Sequence, residues 1–145
     1  MPRLDAERVA LWRTFCVTAT ELQRRVEDQL MAEHDLSLAW FEVLSALRTA
    51  GGTLRVFDLR ERLNELPSSL SRRLDRMEQE GFVQRASTPT PADRRAVTVS
   101  STPFGRAVWR DANVTFRRAV QQQFAHRLTD TDLVALHRVL GKAGS

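Results

Sequence analysis

Two arginines and a group of serines share one predicted helical face between residues 66 and 80. The apolar residues of this stretch recur at helical spacing and predict a buried side, formed by Leu70, Leu74 and Met77. At roughly 100° per residue, Arg72 and Arg76 fall on the opposite side together with Ser68. Guanidinium groups can hydrogen-bond to guanine edges or phosphates, and short serine side chains let the backbone approach closely. The pattern is typical of a helix that enters a DNA major groove, and also of an ordinary solvated face. The candidate contact residues on this helix are Ser68, Ser69, Ser71, Arg72, Arg73 and Arg76.

A shorter amphipathic helix precedes this one at close spacing. Val56, Leu59 and Leu63 predict its buried side, and Asn64 can close it in a left-handed conformation. Pro67 then fits the first turn of the next helix, where a missing N–H group costs little. The spacing indicates a helix-turn-helix unit.

An extended hairpin is predicted after the second helix of this unit. Gly81 ends the helix, and residues 82–85 and 96–100 form two extended segments. Between them, residues 88–95 contain two prolines, which exclude a regular helix or strand. The two segments are predicted to form a β-hairpin with a basic tip. The short segment 53–55 is a candidate third strand beside it.

These segments together resemble the MarR (multiple antibiotic resistance regulator) family, and the resemblance covers nearly all of the chain. The matching segments are 59–63, 68–72, 74–78, 81–83, 93–95, 97–99 and 102–106. The resemblance implies a mainly α-helical fold, in which a winged helix-turn-helix domain with a small β-hairpin wing is flanked by N- and C-terminal dimerisation helices. It also implies that Arg95 enters the minor groove at the wing, with Asp93 orienting the loop. Arg94 is a further candidate contact at the wing.

The sequence divides into three parts within one domain spanning residues 1–145. Residues 36–101 form the predicted DNA-binding part, and residues 5–33 and 102–144 form the predicted dimerisation part. Three further helices have suitable N-cap residues, which are Ser37, Thr102 and Thr129. We expect the helix after Thr102 to continue to about Leu128.

Both terminal helices carry apolar stripes. The stripe of the first helix comprises Val9, Trp12, Phe15, Cys16, Ala19, Leu22, Val26 and Leu30, and the predicted buried stripe of the last comprises Leu133, Leu136, Val139 and Leu140. Packing within a single chain would be the plain explanation. Since these helices lie far from the winged part, we expect them to form a two-fold homodimer whose two reading helices bind a pseudo-palindrome.

Composition limits the classes of protein that are possible. The 145 residues carry a formal net charge of +4, which modestly favours a polyanionic partner. All but one of the 22 basic residues are arginine, which codon usage in a GC-rich genome explains equally well. The sequence has no long apolar run or leader and a single cysteine. We therefore expect a cytoplasmic protein without membrane contact or an internal disulfide.

Enzyme chemistry has little support in the sequence. His34, His126 and His137 are scattered, and no pattern for zinc, a nucleophile elbow, a P-loop or a dinucleotide site is present. Helix capping explains the pair Asp130 and Asp132. We predict no catalytic residue, no metal and no cofactor.

Two further hypotheses concern regulation. The family resemblance implies a small aromatic or anionic ligand between the dimer helices and the winged part, and the candidate wall residues are Trp12, Phe15, Trp40 and Phe41; such a cluster is more often core. One branch of the family senses peroxides through a single cysteine near the position of Cys16. That branch relies on tyrosines, and this chain has none. A cysteine on an apolar stripe usually acts as a small hydrophobe.

The function predicted from the sequence is a homodimeric, sequence-specific regulator that binds double-stranded DNA, represses transcription from a pseudo-palindromic operator and is relieved by a small molecule. The alternative is a winged-helix module that binds a protein through its arginine face. Salt dependence and the presence of a preferred DNA sequence separate the two.

Overall fold

The computed structural model describes residues 5–87 and 96–145, which form six α-helices and a three-stranded sheet. The helices are α1 Ala6–His34, α2 Leu38–Thr49, α3 Val56–Leu63, α4 Pro67–Gln79, α5 Pro103–Gln123 and α6 Asp130–Ala143. The strands are β1 Thr53–Arg55, β2 Val83–Ser87 and β3 Val97–Ser101. A short 3-10 turn, Ala125–Arg127, separates α5 from α6.

Local capping signals set most helix ends where the sequence predicts them. The Ser37 hydroxyl accepts a hydrogen bond from the Trp40 N–H at 3.2 Å, and the Thr102 hydroxyl accepts one from the Gly105 N–H at 3.0 Å. Asn64 closes α3 with φ +52° and ψ +50°, which is the left-handed conformation expected for it. These predictions are confirmed.

The sheet has the antiparallel order β1-β3-β2. β3 pairs Val99 with Leu54 of β1 on one side and with Arg85 of β2 on the other. Val99 is fully buried beneath the helix-turn-helix. The central strand therefore anchors the hairpin to the core of the winged part.

Two apolar cores lie under the helices. The first joins α2, α3, α4 and the sheet, and its buried residues are Val43, Leu44, Leu47, Leu59, Leu70, Leu74, Met77, Val83 and Val99. The second joins α1, α2 and α5, and its buried residues are Val26, Leu30, Leu36, Phe41, Ala112 and Ala119. Trp40, Phe82 and Trp109 pack against both cores, so the winged part and the long helices are held together by aromatic side chains.

The exit of α4 and the start of α5 are tied by hydrogen bonds. Gly81, at φ +83°, lets the Phe82 N–H bond back to the Met77 carbonyl at 2.8 Å in a Schellman-type ending. The Phe82 carbonyl then accepts the Thr102 N–H at 3.1 Å. Gly105 packs directly on this carbonyl, where a Cβ atom would lie 2.1 Å from the oxygen. Any side chain at residue 105 would therefore force α5 away from the winged part.

The C-terminal region differs from the sequence prediction in two ways. α5 ends at Gln123 rather than near Leu128, because the backbone of Phe124 leaves the helical region and the chain tightens into the 3-10 turn. α6 begins with the expected capping box between Thr129 and Asp132. Its apolar stripe is not buried within the chain, since no residue of α6 is classed as buried. The predicted burial of this stripe is therefore wrong for the single chain, because helical periodicity does not indicate which surface an apolar face contacts.

Candidate nucleic-acid interface

The α4 helix presents a polar face to solvent along its whole length. Ser68, Ser69, Ser71, Arg72 and Arg76 are all exposed, on the side away from the buried apolar residues of the same helix. The helix starts without a side-chain cap, as expected for Leu66, and its first turn contains no acidic residue. The free backbone N–H groups and the positive end of the helix dipole therefore remain available to an anion.

The three arginines of α4 have different surroundings. Arg72 and Arg76 make no hydrogen bond or ion pair with the residues that the structure describes. Arg73 instead donates two hydrogen bonds to Glu65, at 2.8 and 2.7 Å, and both side chains are largely covered. The bidentate Arg73–Glu65 ion pair stabilises the turn between α3 and α4. On α4, only the guanidinium groups of Arg72 and Arg76 therefore remain without a partner among the described residues.

A cluster of Arg85, Asp75 and Glu78 joins the start of the hairpin to α4. The Arg85 guanidinium lies 2.5 Å from an Asp75 carboxylate oxygen and 3.2 Å from one of Glu78. Glu78 also accepts the Arg85 N–H at 2.7 Å. This backbone N–H and then the guanidinium lower the pKa of Glu78, because both stabilise its ionised form. The contacts fix β2 relative to the exposed face of α4.

The predicted wing contacts Asp93, Arg94 and Arg95 lie outside the described residues. The strands that lead to and from this segment, β2 and β3, pair over five residues from Val83↔Ser101 to Ser87↔Val97. The two predicted extended segments thus pair as antiparallel strands.

Within the part of the chain that the structure describes, the four aromatic residues proposed as ligand-pocket walls have different surroundings. Trp12 and Phe15 stack at 6.5 Å on the exposed start of α1. Phe41 is a core residue 4.6 Å from Phe116, measured between ring centroids. Trp40 packs edge-on against the ring of Phe82, also in the core. Sequence spacing placed these side chains on apolar faces but could not show that the faces are separate.

A different cavity, of about 320 Å³, lies between α1, α2 and α5. Its apolar wall is formed by Leu22, Val26, Leu38, Phe116, Val120 and Phe124. Gln23, Glu42 and Gln123 add three polar side chains. Burial raises the pKa of Glu42, because desolvation disfavours its charged form. Sequence reasoning did not select Glu42, although it is the single acidic residue of the apolar helix α2.

The remaining candidates have structural surroundings. Cys16 is a free, partly covered thiol on α1. His34 hydrogen-bonds to the Thr115 hydroxyl at 2.7 Å and so links α1 to α5. Within residues 5–87 and 96–145, no group of three or more histidine, cysteine or acidic side chains is placed to hold a metal ion. None of the described helices combines the length and hydrophobicity that crossing a membrane requires.

Helices α3 and α4 with the β2–β3 hairpin form a winged helix-turn-helix, a DNA-binding fold found in transcriptional regulators. A model of the MarR family matches residues 34–96. The chain is 30% identical over 120 residues to the multiple antibiotic resistance protein MarR of Escherichia coli K12, an alignment that covers 80% of this chain and 81% of that protein.

Solved structures give the same result. Sco3205, a MarR family transcriptional regulator from Streptomyces coelicolor solved in complex with DNA, superposes with a TM-score of 0.87 at 27% identity and covers 99% of this chain and 90% of its own. A mutant E. coli MarR complexed with operator DNA gives a TM-score of 0.81 at 26% identity and covers 98% and 99%. This chain belongs to the MarR family of transcriptional regulators.

Proposed function

We propose that the protein is a homodimeric repressor that binds a pseudo-palindromic operator through α4. The observation that carries the proposal is the exposed face of α4, where Arg72 and Arg76 have no partner among the described residues. A helix of this kind fits the major groove, where arginine can donate two hydrogen bonds to a guanine edge. The solved complexes of Sco3205 and E. coli MarR with DNA are consistent with this use of the fold.

The contacts divide into base reading and phosphate binding. Arg72 and Arg76 lie on the central exposed face and are the proposed base-reading residues, while Ser68, Ser69 and the free N–H groups of the first turn suit a phosphate. We assign Arg73 to positioning, because Glu65 occupies its guanidinium. Arg94 and Arg95 are proposed minor-groove contacts, with Asp93 orienting the wing.

Exposed apolar side chains at both ends of the chain support the homodimer. Trp12 of α1 is 65% exposed and Val134 of α6 is 70% exposed, and other large apolar residues lie beside them. Contiguous apolar patches of this kind are costly to leave in water and mark interaction surfaces. Residues 5–33 and 102–144 are therefore the proposed dimerisation part, and residues 36–101 the proposed DNA-binding part.

Two-fold symmetry then explains how the chain would act at a promoter. Two copies of α4 about one helical turn of DNA apart read two half-sites, and joining them raises the affinity. An occupied operator would block transcription by exclusion. A small molecule that favours a dimer with wrongly spaced reading helices would release it.

Selection of genomic DNA fragments by the purified protein at about 0.15 M salt tests the proposal, because non-specific phosphate binding is already weak there. We expect a shared two-fold pseudo-palindrome in the retained fragments. Retention of nothing, or of fragments without a common pattern, would contradict sequence-specific binding and favour a protein-binding role or general coating of DNA.

Variants of α4 make the same test residue by residue. Arg72→Ala or Arg76→Ala should weaken operator binding by about 1–3 kcal/mol and relax the base preference at one position of each half-site. Arg117→Ala is the matched control, since it removes one exposed arginine from α5, outside the proposed DNA contacts. Because residues 102–144 are also the proposed dimerisation part, sedimentation must first show that this variant assembles like the wild type. Equal losses for all three variants would show that only net charge matters.

A further inference from the structure

Glu42 places a carboxylate in the wall of an otherwise mostly apolar cavity. The cavity between α1, α2 and α5 measures about 320 Å³, which is at the lower end of the range for small-molecule sites, about 300–1,000 Å³. Six of its wall residues are large and apolar, and Glu42 is the single ionisable side chain among the lining residues. A ligand in this space would meet one acid and two amides.

No described side chain neutralises this acid. Glu42 makes no hydrogen bond or ion pair with the described residues, and burial alone accounts for its raised pKa. Two arginines, Arg24 and Arg62, line the adjoining groove together with Glu42, and neither is within ion-pair distance of its carboxylate. Arg24 is bound to Glu21 at 2.6 Å and to Asp28 at 3.3 Å. The folded chain therefore holds a partly desolvated carboxylate without a counter-ion.

An unpaired carboxylate in an apolar wall has consequences for what can bind there. Desolvation has already removed part of its favourable contact with water, so a cation that arrives restores a strong interaction at little additional cost. An anion would instead meet like charge in surroundings of low polarity. A neutral aromatic molecule would gain the apolar contacts alone.

We propose that this cavity binds a small hydrophobic monocation, such as a protonated aryl-alkyl amine, with Glu42 as its counter-ion. The proposal rests on the proposed function, because it names the chemical class of the small molecule that would act on the regulator. Of the aromatic or anionic ligands expected from the family resemblance, it disfavours the anionic ones, since the described wall of this cavity carries an acid and no basic residue.

The position of Glu42 also gives the ligand a route to the DNA-binding part. Glu42 lies on α2, and the same helix buries Val43, Leu44 and Leu47 against the core that holds α4. The other walls of this open cavity are formed by α1 and α5, which belong to the proposed dimerisation part. A ligand that draws these three helices together acts on both parts at once.

Calorimetric titration of the full chain with three matched probes tests the proposal. The probes are 1-naphthylmethylamine, 1-naphthylmethanol and 1-naphthoate, which share one ring system and differ in charge. We expect the amine to bind on the order of 10-fold more tightly than the alcohol, and the carboxylate to bind most weakly. Equal affinities for amine and alcohol, or tighter binding of the carboxylate, would overturn the proposal. So would the absence of binding by all three probes, which is expected if a second copy of the chain fills the cavity.

Variants assign the preference to Glu42. Glu42→Gln keeps the shape and should reduce amine binding to the level of the alcohol, while Asp111→Asn, which neutralises an exposed carboxylate on α5, should leave the preference unchanged. If Glu42→Gln retains the preference, Glu42 is not the counter-ion. If Glu42→Gln folds poorly, Glu42→Leu and the comparison of amine with alcohol binding by the wild type still test whether Glu42 is the counter-ion.

Binding of DNA by the ligand-free protein is measured separately. A protein that selects a pseudo-palindrome but does not prefer the amine refutes the cation site and leaves the proposed function standing. A protein that prefers the amine but selects no DNA sequence refutes the proposed function, and the calorimetric result remains readable by itself.

Discussion

Replacing Gly105 by alanine should destabilise the protein, although alanine is the better helix former. A Cβ atom at this position would lie 2.1 Å from the carbonyl oxygen of Phe82 and 3.0 Å from the carbonyl carbon. Carbon and oxygen atoms normally approach to about 3.3 Å, so the two backbones would have to separate by about 1 Å.

The backbone around Phe82 has little freedom to make that movement. Its carbonyl accepts the N–H of Thr102 at 3.1 Å and is 3.2 Å from the Thr102 hydroxyl, which lies 2.5 Å from the carbonyl oxygen of Gly81. Overpacking of this kind typically costs about 1–3 kcal/mol, and the weakened hydrogen bonds add to it. Alanine returns at most about 1 kcal/mol through helix propensity. We expect a net loss of about 2 kcal/mol.

Gly141→Ala provides the matched control. Gly141 also lies in a helix, but no atom is within 4 Å of its potential Cβ, so alanine should stabilise the chain there by up to about 1 kcal/mol. Thermal unfolding at one fixed protein concentration should show Gly105→Ala melting about 4–8 °C below the wild type. If both variants raise the melting temperature equally, the close packing of α5 on Phe82 is refuted.

Three further predictions concern ion pairs and assembly. A double-mutant cycle of Arg73→Ala and Glu65→Ala should give a coupling of about 1–2 kcal/mol in chemical unfolding, since the fork is bidentate and largely covered; additive effects would show that the pair contributes nothing. Contacts with Arg85 lower the folded-state pKa of Glu78 below its ordinary value of 4.5. The ionised carboxylate therefore stabilises the fold above that pH. This contribution is lost as the pH falls through the lowered pKa. Glu78→Gln should therefore lose stability relative to the wild type at pH 6, and this difference should shrink as the pH falls below 4.5. A pH-independent difference in unfolding free energy would contradict the linkage. Trp12→Glu should shift the protein towards monomer in sedimentation velocity at micromolar concentration, because it charges the proposed interface; an unchanged sedimentation coefficient with the wild type dimeric would place the interface elsewhere.

Local signals predicted the element order because helix ends depend on a few neighbouring residues. Ser37, Asn64, Pro67, Thr102 and Thr129 each act where the sequence indicates, through a cap, a left-handed residue or a first-turn proline. The exposed face of α4 was predictable for the same reason, since 3.6-residue periodicity separates its serines and arginines from its apolar side.

Contacts between distant segments were not predictable. The Arg85 cluster joins residues that only the fold of the hairpin brings together, and the Glu65–Arg73 fork requires the turn between two helices. The only sequence feature that sets Glu42 apart is that it is an acidic residue within an apolar helix. Its place in the cavity depends on walls contributed by α1 and α5. Trp12 and Phe41 are both candidate pocket walls by sequence, but Trp12 is exposed and Phe41 is buried in the chain, a difference that helical spacing does not reveal.

The hydrogen-bonded junction at Phe82 makes α5 a rigid lever arm for the winged part. With 21 residues at 1.5 Å each, α5 is about 30 Å long, so a tilt of about 6° at its far end corresponds to a displacement of about 3 Å at the junction. Successive base pairs are about 3.4 Å apart along DNA. A tilt of about 6° is thus geometrically sufficient to move a reading helix by nearly one base-pair step, and the lack of a side chain at residue 105 allows the close contact with Phe82 that couples α5 to the winged part.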